Sequence, residues 1–86
     1  MSYRIEIRPE ALEDLNSLDS AVAVRILRKL EWLRENFSLI TPEPLKGEFK
    51  GLFKLRIGDY RVLYTYDKAQ KLITVHLIGH RHEVYR

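Results

Sequence analysis

Residues 52–79, LFKLRIGDYRVLYTYDKAQKLITVHLIG, constrain the fold more than any other part of the chain. They are rich in β-branched and aromatic residues, and two turn signals, Gly58-Asp59 and Asp67 to Gln70, divide them into three runs. Leu52 to Ile57, Tyr60 to Tyr66 and Leu72 to Ile78 are each of strand length and too apolar for loops. Connections this short leave room only for antiparallel neighbours, because a parallel return needs a crossover of about a dozen residues or more. The spacing therefore predicts an antiparallel β-meander.

What precedes the meander has to cover it. Tyr3, Ile5 and Ile7 alternate with Arg4, Glu6 and Arg8, the pattern of a half-buried strand. Pro9 with Glu10, Glu13 and Asp14 opens a helix, and Leu12, Leu15 and Leu18 give it an apolar stripe. Asp19 or Ser20 caps a second helix, in which Val22, Ile26, Leu30, Leu33 and Phe37 recur at three- and four-residue spacing. Trp32 falls at the boundary or on the surface of that helix. Ser38 to Gly47, with Pro42 and Pro44, reads as a connection. The order β-α-α-β-β-β predicts an α+β fold: an antiparallel sheet with an N-terminal helical hairpin on one face. Eighty-six residues make a single domain spanning residues 1–86, with a modest core. A hydrophobic fraction of 45% with 31% charged residues is that of a folded chain. There is no cysteine, so neither disulfides nor thiolate metal sites are expected. The start MSYRIEIRPE has no apolar signal region, and no run reaches membrane-spanning length, so a cytoplasmic protein without a membrane partner is expected.

Strand parity then sorts the charges. A two-residue loop at Gly58-Asp59 pairs Ile57 with Tyr60, Arg56 with Arg61, Leu55 with Val62 and Lys54 with Leu63. Phe53, Leu55, Ile57, Val62, Tyr64 and Tyr66 share the face under the helices, while Lys54, Arg56 and Arg61 share the other. Like charges directly opposite on a sheet are destabilising, so this cluster suggests an anion site. Its rival reading is an ordinary solvated face, although Leu52, Leu63 and Leu72 on the same side make that face partly apolar. A four-residue loop after Tyr66 sets Tyr64 opposite Ile73 and Arg61 opposite His76. It places Ile73, Val75 and Leu77 in the core, and carries His76 and His80 onto the cationic face. The last residues, Arg81, His82 and Tyr85, lie just beyond and can fold back over it.

Charge distribution points the same way. Residues 1–43 carry six Lys/Arg against eight Asp/Glu, whereas residues 44–86 carry nine against four, so the basic character lies in the meander half, as for a polyanion partner. Glycine-rich phosphate loops, HExxH and a serine nucleophile in context are all missing from the sequence. His80-x-His82 lacks the spacing of a strong metal site, so no metal is expected.

Three segments, RPEALEDL, PLKGEFKGLFKLRIGDYRVLYTYD and LIGHRHEVYR, together resemble the RelE/ParE toxin superfamily of bacterial and archaeal toxin–antitoxin modules, most of all its RelE branch. The resemblance covers nearly the whole chain. It implies a RelE-like microbial RNase fold and a metal-independent endoribonuclease, without cofactor, that cuts messenger RNA in the ribosomal A site and so inhibits translation. Its implied partners are the 70S ribosome with its messenger RNA and a cognate RelB-like antitoxin, through which the complex binds operator DNA. By the same likeness Lys54, Arg61, Arg81, His82 and Tyr85 are the catalytic set, and Lys46, Arg56 and His80 contact substrate. Some members carry a second lysine two residues before Lys54, where this chain has Leu52. Lys54, His82 and His80 all stay open as the group that moves the proton. Two other readings are a ParE-like inhibitor of DNA gyrase and a non-catalytic module that binds RNA or an antitoxin.

Overall fold

The computed structural model describes residues 2–81. The first strand, β1, is Arg4–Ile7. Helix α1, Pro9–Asn16, starts on the proline, whose missing N–H falls where a helix has no acceptor to offer. Helix α2 follows over Ser20–Asn36, with Asp19 at its N-cap position. A 3-10 turn, Phe37–Leu39, leads to a two-residue strand, β2, at Glu43–Pro44, and a second 3-10 turn, Gly47–Phe49, leads to the meander. The meander strands are β3 (Phe53–Ile57), β4 (Tyr60–Asp67) and β5 (Leu72–His80).

These strands form one five-stranded sheet in the order β1-β5-β4-β3-β2, with both helices packed on one face. Two features depart from the expectation of a purely antiparallel, four-stranded sheet. β1 pairs in parallel with β5, Ile5 beside Ile73 and Ile7 beside Val75, a geometry open to it because helices and meander make a long crossover. Glu43 and Pro44, read from sequence as a connection, pair with Lys54 and Phe53. Proline is tolerated there because β2 is the edge strand.

The core lies between the helices and the sheet. Ile26, Leu30 and Leu33 of α2 and Ala11 and Leu15 of α1 meet Val62, Tyr64, Ile73, Val75 and Ile78. Leu12, expected in the stripe of α1, is 46% exposed; Ala11 takes the inward position. Phe37 joins this core to an aromatic group of Tyr3, Tyr64, Tyr66 and Phe53, with ring centroids 4.8–6.0 Å apart.

The β3–β4 register is the expected one, with Arg56 opposite Arg61 and Lys54 opposite Leu63. Gly58 has φ +61°, as the first central residue of a type II′ turn requires. The β4–β5 register differs. The loop closes on Asp67 and Leu72, so Tyr64 pairs with Val75 and Tyr66 with Ile73. An irregularity between Leu63 and Tyr64 then leaves His76 as an extra residue, since Leu63 pairs with Leu77. Past this bulge the parity of β5 reverses. Ile78 instead of Leu77 enters the core, and Gly79 instead of His76 lies opposite Arg61. His80 pairs with Tyr60 on the helix side, its ring edge-on to that of Tyr60 at 5.5 Å, rather than on the cationic face.

Candidate nucleic-acid interface

The sheet face away from the helices carries Lys54 and Arg56 from β3 and Arg61 from β4. β2 adds a residue that the sequence reading did not single out. Glu43 sits beside Lys54, and its Oε2 lies 2.9 Å from Lys54 Nζ. The Lys54 side chain is 13% exposed and that of Glu43 55%, so the pair is half sunk into the face. The hydrogen bond from Lys54, with the charges of Lys54, Arg56 and Arg61 behind it, holds the Glu43 carboxyl below the usual carboxylate range. The face is therefore a cationic cluster with one carboxylate set into it and held in its charged form by its neighbours.

Arg61 differs from what parity alone suggests. It is 7% exposed, and its Nη1 donates to the carbonyl oxygens of Gly58 and Tyr60, each at 2.9 Å. Its Nε is buried and, among the described residues, has no hydrogen-bond partner. The side chain thus braces the β3–β4 turn while holding its charge under the face. Arg81 reaches the same turn from the other side, because its backbone N–H donates to the Asp59 carbonyl at 2.8 Å; its side chain is exposed. The sheet accordingly brings Lys54, Arg56 and Arg61 together, with Arg81 at the turn next to Arg61. Lys46 is exposed at the entry to the Gly47–Phe49 turn. His82 and Tyr85 lie outside the described residues.

The apolar character of this face is also real. Leu63, opposite Lys54, has no exposure, and Leu52, Leu72 and Leu77 are half-buried. His76, displaced by the bulge, shares the face with Thr65, whose Oγ1 lies 2.9 Å from His76 Nε2. Burial, with Arg8 adding to it against an opposing effect of Glu10, holds the His76 imidazole below its ordinary pKa. His76 therefore belongs to the β1 side of the sheet, away from Lys54 and Arg56. Among the described residues no cluster of three or more His, Cys, Asp or Glu side chains could hold a metal. No helix of the described residues is long and apolar enough to cross a membrane.

Glu43 left little trace in the sequence. It lies between two prolines, in a segment with no period to assign it a face. The available signal was the pair of extended residues that prolines 42 and 44 impose on their predecessors, which is how an edge strand can begin.

Comparison with known proteins identifies the family and the fold. The family described as the ParE toxin of type II toxin–antitoxin systems, parDE, matches residues 5–85. Toxin RelG of Mycobacterium tuberculosis is 27% identical over 86 residues, covering 100% of this chain and 99% of that protein. Toxin RelE of the same organism is 29% identical over 84 residues, covering 98% and 87%. Among solved structures, the toxin–antitoxin complex RelBE2 of M. tuberculosis contains a chain that superposes with a TM-score of 0.82 at 26% identity, covering 94% of this chain and 100% of that one. The archaeal RelE–RelB complex from Pyrococcus horikoshii gives 0.74 at 27% identity, covering 94% and 97%. With its helical hairpin on a five-stranded sheet and its cationic outer face, the chain belongs to the RelE/ParE toxin family of type II toxin–antitoxin systems, as a toxin of the RelBE type.

Proposed function

We propose that this toxin is a ribosome-dependent endoribonuclease. It cleaves messenger RNA in the A site by attack of a 2′-hydroxyl on its own 3′-phosphate, leaving a 2′,3′-cyclic phosphate and a 5′-hydroxyl. The observation that carries the reading is the Lys54, Arg56 and Arg61 cluster with Glu43 set against Lys54. In-line attack needs a group to take the proton from the 2′-oxygen, positive charge at the phosphorane, and a proton for the departing 5′-oxygen. The Glu43 carboxylate, paired with Lys54, joins Lys54 and His82 as a candidate for the first task, whereas His80 lies on the helix side of the sheet, away from this face. Lys54 and the exposed guanidinium of Arg56 suit the second, with Arg61 adding fixed charge from beneath. Arg81 extends the cationic surface past the β3–β4 turn, and Tyr85 would stack on an exposed base. So small a set of acid–base groups fits a reaction whose substrate is oriented by the ribosome.

Solved complexes of RelE-like toxins contain RelB antitoxins. We extend that partnership to this chain: a RelB-like antitoxin would silence the site by covering the cationic face with acidic side chains.

The test is expression in a permissive host, with messenger 5′ ends mapped by primer extension with and without translation. Growth arrest with cuts that need translation is the expected result. Soluble protein that neither arrests growth nor cleaves messenger would refute the nuclease reading, and cleavage of naked RNA would refute ribosome dependence. A gyrase-directed toxin is the second reading, favoured by the match to the ParE family. Alanine at Lys54 or Arg56 should leave such a toxin active and disable a nuclease.

A further inference from the structure

A pocket of about 270 Å³ opens between α2 and the sheet edge, next to the cationic cluster and lined in part by the same residues. It exists because β2 pairs with β3 only at Phe53 and Lys54, so beyond Lys54 the edge of β3 is uncovered. Lys54, Arg56 and Glu43 are the lining it shares with the cluster, and Lys29 and Trp32 of α2 line it too, with the buried Tyr64. Trp32 is 41% exposed, a large aromatic surface that the fold leaves open to solvent. The ammonium of Lys29 lies 3.9 Å from the centroid of the Trp32 ring. Three cations against one carboxylate favour an anionic guest. The volume falls just under the roughly 300–1,000 Å³ of sites that enclose whole drug-sized ligands, which suits one planar ring better than a peptide helix. An aromatic platform beside cations that track a phosphate backbone is how proteins hold single-stranded nucleic acid.

We propose that this pocket holds the nucleobase of a nucleotide flanking the scissile phosphate, with Trp32 as the surface on which it stacks and Lys29 and Arg56 paired with the neighbouring phosphate. The proposal rests on the nuclease reading for its choice of RNA. Trp32 is on this view a positioning residue that sets where the strand lies relative to Lys54 and Glu43, and it takes no part in proton transfer. An unstacked base has a π-face whatever its identity, so the subsite tightens binding at one position with weak preference among bases.

Trp32 is the only tryptophan in the chain, so its emission reports on this pocket alone. The full-length protein is titrated with a 2′-O-methyl trinucleotide, which cannot be cleaved, and with the same trinucleotide lacking one terminal base. Quenching by the intact trinucleotide, and its loss with one of the two abasic forms, is the expected result. In ribosome-programmed cleavage Trp32→Leu raises KM about tenfold and leaves kcat within about twofold, whereas Trp32→Phe retains most of the wild-type KM. Because Trp32 is exposed, both variants fold, which circular dichroism checks. An unquenched emission up to millimolar trinucleotide, together with a Trp32→Leu protein whose KM is that of the wild type, overturns the proposal. So does emission that responds to an acidic antitoxin peptide and to no RNA, since that result would assign the pocket to a protein partner. Failure of the wild-type chain to cleave any messenger would remove the nuclease reading instead, and the quenching would still decide whether the pocket takes a base.

Discussion

Lys54 and Glu43 neutralise one another across two paired strands, so an arriving phosphate competes with Glu43 for the ammonium. On the proposed mechanism that exchange would release the carboxylate from the ammonium that lowers its pKa and so make it a better proton acceptor. Glu43→Gln keeps the shape and removes the base; cleavage in the ribosome should fall by about 10²- to 10⁴-fold, while affinity for a non-cleavable RNA holds or rises because a negative charge has gone. Unchanged cleavage would reassign Glu43 to a counter-ion. Parity could read Lys54, Arg56 and Arg61 off the sequence because a strand's period of two fixes the face of every side chain. Parity does not give depth, however, and so it could not show that Arg61 is sunk under the face and tied to the turn. A second residue gives a pH prediction. His76 is held below its ordinary value of 6.5, so the unfolded chain binds more protons than the folded one between the two pKa values. The stabilisation is fully present above the unfolded pKa and is lost as pH falls from there through the folded one. Denaturant midpoints recorded from about pH 7.5 down to 5 should decline, and His76→Gln should remove that part of the slope while leaving the carboxylate titration below it.

At the scale of elements, the meander was legible because turn chemistry and alternation agreed over three successive runs. Gly58-Asp59 fixed the β3–β4 register by itself, since a two-residue loop permits one pairing. The Asp67 to Lys71 loop fixed nothing so tightly. Its closing pair is Asp67–Leu72, with Lys71 at φ +52° and the Asp67 carboxylate accepting from the Gln70 N–H. A bulge has no periodic signature, and His76 consequently reversed the expected faces of every later residue in β5. Parallel pairing of β1 was hidden for a related reason: a strand's own pattern says which face is buried and nothing of its neighbour's direction. The bulge leads into a segment that β1, which ends its pairing at Val75, does not cover. There the Ile78 N–H donates instead to Asp14 Oδ2 of α1 at 3.1 Å, so a helix carboxylate finishes the edge of a strand 64 residues away. Asp14→Ala leaves that part-buried N–H unpaired and should cost about 1–3 kcal/mol, read as a lower denaturant midpoint with an unchanged slope. Asp14→Asn keeps an acceptor and should recover most of the loss. If both variants unfold like the wild type, the contact is incidental.

For the whole molecule, the decisive asymmetry is between the layers. The half of the chain that supplies β1 and the helices carries a net negative charge, and the half that supplies the meander carries the positive excess. Packing the helices on one side of the sheet leaves the outer face to the basic half, so an approaching polyanion would be steered to Lys54 and Arg56, with Lys29 beside them, rather than to the acidic α1. That arrangement predicts how binding responds to salt. If Lys29, Lys54 and Arg56 each neutralise one phosphate, three sets of condensed counterions are released. A plot of log K against log salt for a short single strand should then have a slope near about −2, from roughly −0.7 per phosphate. Fluorescence anisotropy of a labelled, non-cleavable RNA between about 50 and 200 mM salt measures it. The double variant Lys54→Met, Arg56→Met should make the slope shallower by about 1.4, whereas Trp32→Leu should weaken binding at every salt concentration and leave the slope alone. The two contributions are separable because stacking releases no counterions. A slope indistinguishable from zero in the wild type would mean that the cationic face does not meet phosphate at all, and would move the recognition of RNA away from this sheet.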